Sequence, residues 1–264
     1  MLSKPFNFFI CFLFLFTIPN SFFVKAATSN VELIQQNWPF KGFFGRFDKA
    51  SLQRGFKVYS EVCAACHSMQ YLSYRNLGEP GGPEFSELEV KAIAASFEIE
   101  DGPNDQGEMF TRPGRPSDKF KNPYPNVQAA TAANGGAYPP DMSVLVKARK
   151  GGADYIYSVL LGYDEEVPED IVLDQGVYYN KYMSGNRIKM PKVLSDGLVE
   201  YADGTISSEE QMAKDVTTFL SWAAEPELEE RHKTGIKVMI YLILLSVLVF
   251  LSMKKVCSRI DSEV

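Results

Sequence analysis

The string Cys63-Ala64-Ala65-Cys66-His67 decides how the rest of the chain is read. C-x-x-C-H is the attachment signal for a c-type haem. Two thiols two residues apart on a helical turn can each form a thioether to a vinyl group of the porphyrin, and His67 then presents an imidazole nitrogen to iron from the same turn. Two other chemistries use such cysteines. A structural zinc site wants four Cys or His ligands, and between residues 27 and 235 the chain offers only Cys63, Cys66, His67 and His232. His232 stands between Arg231 and Lys233 beside a long apolar run, the setting of a solvated interfacial residue. A thioredoxin-like dithiol needs a βαβ context, and the flanking sequence has none.

A haem iron held by His67 needs a sixth ligand, or an open position for chemistry. No second histidine is well placed, so methionine is the natural donor, and it raises the reduction potential. Met69 lies too close to His67 to reach the opposite haem face, and Met212 falls at the start of a predicted helix as a core residue. Met190 sits in Ile188-Lys189-Met190-Pro191, where the following proline biases its backbone to an extended form that can project a thioether. It ranks first on sequence alone, with Met142 and Met183 behind it.

Outward from the motif, Asp48 is placed to cap a helix whose apolar positions Leu52, Phe56 and Tyr59 run into Cys63. Residues 78–140 hold half of the Gly and Pro of the chain in a quarter of its length and read as mostly loop. Residues 141–161 read as helix broken by Gly151-Gly152. Ser207 with Glu210 predicts a capping box, followed by an apolar face of Met212, Val216, Phe219, Leu220 and Ala223 that Pro226 ends. The expected fold class is mainly α: a small helical haem core enlarged by long loops, with one C-terminal transmembrane helix.

Both ends are expected to lie outside that core. Residues 1–26 carry Lys4, an apolar stretch and small residues before a cut after Ala26, the pattern of a secretory signal peptide. Residues 236–253 are almost wholly apolar, and at about 1.5 Å per residue they reach roughly 27 Å, enough for a bilayer core. Basic residues flank this run on both sides, so charge alone does not orient it. The signal peptide does: residues 27–235 form an exported domain and 254–264 an inner tail. Of four cysteines only Cys63 and Cys66 remain outside, since Cys11 leaves with the signal and Cys257 follows the span. The chain of 264 residues is 45% hydrophobic with a net charge of -6, which excludes disorder and argues against nucleic-acid binding. The exported part is more acidic still, with 21 Lys and Arg against 31 Asp and Glu.

Several separated strings resemble the cytochrome c1 family of the cytochrome bc1 complex. They are 213–226 (Ala-Lys-Asp-Val-Thr-Thr-Phe-Leu-Ser-Trp-Ala-Ala-Glu-Pro), Tyr124-Pro125-Asn126, Ala132-Ala133-Asn134-Gly135-Gly136-Ala137, Pro139-Pro140-Asp141, and Lys147-Ala148-Arg149 leading to Gly151-Gly152-Ala153-Asp154-Tyr155. The likeness runs from about Phe40 to Lys255. It implies one covalently attached haem c, with Met190 as sixth ligand, Arg149 and Tyr155 on the propionates, and Asn134, Pro139, Pro140 and Leu145 lining the pocket. It further implies cytochrome b and Rieske iron-sulfur subunits as partners, a cytochrome c as electron acceptor, and a place in the inner membrane with the haem domain on the periplasmic or intermembrane-space side. The work implied is single-electron transfer from the Rieske subunit to cytochrome c, with no substrate bond made or broken at this subunit. A second cysteine pair, present in some members, has no counterpart here.

Two acidic runs bear on the acceptor. Glu84, Glu87, Glu89, Glu98, Glu100, Asp101, Asp105 and Glu108 face only Lys91 within 25 residues, and Asp164, Glu165, Glu166, Glu169 and Asp170 form the second. They are either solvated loops or a surface that steers a basic protein. A carrier serving another exported oxidoreductase, or a haem enzyme with an open sixth position, are the alternatives.

Overall fold

The computed structural model describes residues 31–169 and 171–262. The expected signal peptide, with Cys11 and the cut after Ala26, lies outside the described residues, as does Asp170. Among the described residues the chain is mainly helical: α1 Lys49–Glu61, α2 Glu87–Ala95, α3 Val127–Ala133, α4 Gly152–Leu161, α5 Glu209–Ala224 and α6 Leu228–Ser262. Two small antiparallel hairpins accompany them, β1 Glu98–Asp101 with β2 Phe110–Pro113 and β3 Tyr178–Tyr179 with β4 Arg187–Ile188.

Helix α1 starts where the sequence predicts, with the Asp48 carboxylate accepting from the Ser51 amide at 2.7 Å. Its face of Leu52, Gly55, Phe56 and Tyr59 is buried against α5 in the most extensive helix contact of the fold. Glycine is required at the crossing: a Cβ on Gly55 would lie 2.1 Å from the Asp215 carbonyl oxygen. The Asp215 carboxylate is fully buried and accepts from Ser51, from Arg54 Nε at 2.8 Å and from Gln211 at 2.9 Å. Removing one partner of a buried pair costs roughly 3–5 kcal/mol; Arg54 keeps a little solvent contact, which puts its loss at the lower end. Around the crossing Phe56, Tyr59, Phe120, Phe219 and Trp222 pack ring to ring, largely edge-on or tilted.

Three local expectations need correction. The helix expected over 141–161 begins only at Gly152, because the Asp141 side chain accepts from Ser68, the Gln70 amide and the Ser143 amide and so turns the chain instead. The cap of α5 is Ser208, bonded to the Gln211 amide at 3.2 Å, one residue later than the Ser207–Glu210 pair. Ser207 is held in the preceding loop, its carbonyl accepting from the Gly197 amide. Residues 78–140 are mostly irregular as expected, yet α2, α3 and the first hairpin lie within them. A reciprocal Ser86–Glu89 capping box starts α2 and Asn126 caps α3. Of the eight acids of the first run, Glu84, Glu87 and Asp101 pair with Lys49, Lys91 and Arg112, and Glu89 caps its own helix.

The N-terminal arm is stapled to α4 by one carboxylate. Asp154 accepts from the Trp38 indole at 2.6 Å, the Gln36 amide at 3.2 Å and the Lys41 ammonium at 2.6 Å. At the other end α5 stops at Ala224 before Pro226, and only three residues separate it from α6. The apolar run 236–253 lies inside α6, a helix long and apolar enough to cross a membrane, with its side chains from Val238 to Phe250 exposed.

Burial alone pushes the Asp154 carboxyl up, but the bonds from Lys41, Trp38 and Gln36 outweigh it and hold the group below the usual carboxylate range. A depressed folded pKa means that this staple stabilises the fold above pH about 3.9, the unfolded value, and is lost as pH falls through the folded midpoint. The Trp38 indole N–H resonance is expected to titrate with a midpoint below about 3.9; a midpoint at or above that value contradicts the assignment.

Candidate cofactor site

The end of α1 builds the first wall. Val62 continues the helical bonding to Val58, and a tight turn over Cys63–Ala65 follows, with the Cys66 and His67 amides both donating to the Cys63 carbonyl at 3.1 and 2.9 Å. Cys63, Cys66 and His67 thereby face one cavity of about 560 Å³, a volume in the range of cofactor sites. The turn is locked from outside by two bonds to Asp141, from Ser68 Oγ and the Gln70 amide, and by the Met142 amide, which donates to the Ser68 carbonyl at 2.8 Å.

The state of His67 follows from its neighbours. Nδ1 lies 2.9 Å from the Pro140 carbonyl oxygen, which has no proton to give, so Nδ1 carries the hydrogen and donates it. Burial lowers the pKa of the ring, so it is neutral near pH 7, with Nε2 left as an unprotonated lone pair for a metal. Burial also pushes the Cys63 thiol up to about 12. A thiol held protonated is a poor thiolate ligand, and among the described residues no three His, Cys, Asp or Glu side chains gather as a metal cluster. The zinc and dithiol readings therefore gain nothing from the geometry, whereas two thiols beside a neutral imidazole suit a porphyrin.

All ten sequence-predicted site residues meet on this one cavity. Asn134, Pro139 and Pro140 come from the loop after α3, Leu145 and Arg149 from the turns before α4, Tyr155 from α4 itself, and Met190 from the segment after β4. That last segment is held by the pairing of Tyr178 with Ile188, by Tyr163 Oη donating to the Met190 carbonyl at 2.9 Å, and by Lys189 Nζ donating to the Gly135 carbonyl at 2.8 Å. Met142 and Met183 also line the cavity, but Met142 is bonded onto the chain of His67 itself, and the Met183 sulfur accepts from Tyr155 Oη at 3.5 Å. Met69 and Met212 are fully buried in the core, Met212 as its sequence position predicts. Arg149 makes no ion pair among the described residues and bonds only to the adjacent Ala148 carbonyl, so its guanidinium is available to an acidic group at the cavity.

Sequence reasoning missed part of the lining. Ile156, Val159 and Leu160 of α4 and Val216 and Leu220 of α5 form apolar wall and floor. Their helical spacing marks them as buried but does not say whether a side chain or a cofactor lies opposite. Tyr163, which holds the Met190 backbone, carried no signal. His232 is not simply solvated: it is half-buried, and its Nδ1 lies 3.3 Å from the Gly45 carbonyl.

A mainly α domain that gathers C-x-x-C-H and a methionine-bearing loop on one apolar cavity, ahead of one long apolar helix, has the architecture of a c-type cytochrome. Residues 38–260 match the model of the Cytochrome C1 family. The chain is 52% identical to "Cytochrome c1-2, heme protein, mitochondrial" of Solanum tuberosum, over 80% of each chain. It is 46% identical to "Cytochrome c1" of Rhodospirillum rubrum over 83% of this chain and 85% of that one. It is also 50% identical to "Cytochrome b/c1" of Bradyrhizobium diazoefficiens over 83% of this chain, and spans about a third (34%) of that longer protein. The chain belongs to the cytochrome c1 family, a family of haem proteins.

Asp141→Ala removes two acceptor contacts from the chain just after the Cys66–His67 turn and a third from the Ser143 amide. Each hydrogen bond of this kind contributes about 1 kcal/mol and its unsatisfied donors cost more, so a loss of roughly 2–4 kcal/mol in denaturant unfolding is expected. An unchanged midpoint contradicts the role given to Asp141.

Proposed function

We propose that the chain is a membrane-anchored c-type cytochrome that takes single electrons from a Rieske iron-sulfur subunit and delivers them to a cytochrome c, as a subunit of a bc1 complex that also holds cytochrome b. Family membership supports the assembly, and one observation carries the chemistry: Cys63, Cys66, the neutral His67 and Met190 share a single apolar cavity. The group that these residues fit is one haem c, bound covalently through Cys63 and Cys66, which supplies a one-electron couple when bound.

The protein's own part is to ligate, bury and orient. His67 offers Nε2 because Pro140 holds Nδ1, and Met190 offers a thioether from a segment fixed at both sides by Tyr163 and Lys189. Imidazole and thioether ligation with an apolar lining favours a positive potential. Arg149 and Tyr155 are the donors toward the propionates, and Asn134, Pro139, Pro140 and Leu145 exclude water from the faces. A signal peptide over 1–26 sends residues 27–235 to the exported side, 236–253 span the inner membrane, and 254–264 stay inside.

The acceptor surface favoured by the structure is the second acidic run. Asp164, Glu165, Glu166 and Glu169 are exposed, and they follow directly on Tyr163, the residue that holds Met190. A basic cytochrome c approaching there is steered toward the methionine side of the cavity. Such steering raises encounter rates at low salt and is screened over about 8 Å at physiological ionic strength.

Two outcomes test the reading. Met190→Leu is expected to lower the reduction potential and to allow carbon monoxide to bind the reduced protein; an unchanged spectrum and potential overturns the ligand. Changing the four exposed acids of 164–169 to amides is expected to slow cytochrome c reduction at low salt and to flatten its dependence on ionic strength, and a salt slope equal to that of the parent refutes the docking surface.

A further inference from the structure

The loop over residues 38–46 ends in two neighbouring phenylalanines with no cover. Phe43 and Phe44 are 65% and 77% exposed, with ring centroids 4.9 Å apart at 88°. Their loop is not loose. It is closed at its base by the Arg46 amide donating to the Pro39 carbonyl at 3.0 Å, and at its tip by the Gly45 amide donating to Gly42 at 3.2 Å. Trp38 and Phe40 are buried, and Phe40 packs on Phe47. A rigid base thus presents an apolar tip, an arrangement that costs solubility unless something receives it.

The direction of the tip follows from two contacts with α6. The Phe47 amide donates to Glu229 Oε1 at 3.2 Å, and the Gly45 carbonyl accepts from His232 Nδ1 at 3.3 Å. Read backward from Phe47 to Gly45, the chain moves along α6 from 229 to 232, about 4.5 Å toward its apolar part. Phe44 and Phe43 come next in the chain, at the turn that the Gly45 amide closes onto Gly42. Past Lys237 the unbroken apolar stretch begins at Val238, about 9 Å beyond His232 on the helix axis. Arg46, exposed and without an ion pair among the described residues, flanks the tip.

We propose that this loop is an interfacial anchor, with Phe43 and Phe44 inserted into the lipid bilayer at the headgroup and upper acyl level beside α6. Phenylalanine is among the side chains that bury apolar surface at the headgroup and acyl boundary, and both phenylalanines, like the α6 side chains from Val238 onward, are exposed apolar surface. The second contact point fixes the tilt and rotation of the domain on the membrane, which one helix alone does not do.

Depth measurement tests this. In full-length, haem-loaded protein carrying Cys257→Ser, a nitroxide is attached at Phe43→Cys or Phe44→Cys, with Val172→Cys as the aqueous reference and Leu248→Cys as the lipid reference. The Cys257→Ser parent reports any label at Cys66. In vesicles of phosphatidylcholine and phosphatidylglycerol, labels at 43 and 44 are expected to show a ratio of oxygen to nickel collisions above that of the label at 172 and below that of the label at 248, and to lose most collisions with the water-soluble nickel chelate relative to 172. Nickel collisions equal to those at 172 overturn the proposal. Shielding from both probes also overturns it, since that marks a protein surface as the cover.

Discussion

The contact between α1 and α5 at Gly55 governs the rest of the structure. Without a Cβ at that position the two backbones touch, and the buried Asp215 carboxylate ties them through Ser51 and Arg54. Because α1 ends directly in the cysteine turn and α5 supplies Val216 and Leu220 to the cavity floor, the contact that makes the core also sets the distance between thiols and floor. A shift of α1 along α5 moves Cys63, Cys66 and His67 together. Core and site are therefore one mechanical unit, and the packing density of protein interiors makes that unit stiff.

Much of this was legible in the sequence, for identifiable reasons. The cysteine turn, the Asp48 cap and the apolar face of α5 rest on short-range rules, and the structure follows them to within a residue. The ten site residues, drawn from six stretches of chain, meet on one cavity, because the strings that carried the family likeness are those around the pocket. What the sequence concealed is long-range. Asp141 looked like a helix start because its partners Ser68 and Gln70 lie more than seventy residues away, and they outbid the local helix. Tyr163 gave no signal because its role depends on a carbonyl 27 residues on. Helix α2 was concealed for a different reason: its Ser86–Glu89 box was readable, but the Gly and Pro around it dominated the composition.

The loops that enlarge the helical core are cross-tied rather than loose. Lys189 joins the methionine segment to the loop after α3 through Gly135, Tyr163 joins it to the end of α4, and Asp141 joins the chain before α4 to the turn after His67. Each tie runs from a side chain to backbone or to a short polar residue, so the walls are fixed by hydrogen bonds where helices supply no packing. This explains how the domain keeps a defined cavity without a disulfide among the described residues, where Cys63, Cys66 and Cys257 are free.

The three residues between α5 and α6 carry a last implication. Glu225 in that link is gripped by Lys147 and by Arg231, and Pro226 stiffens it. A head fastened to its stalk so tightly is a stationary post rather than a ferry: it keeps one facing and one height above the stalk.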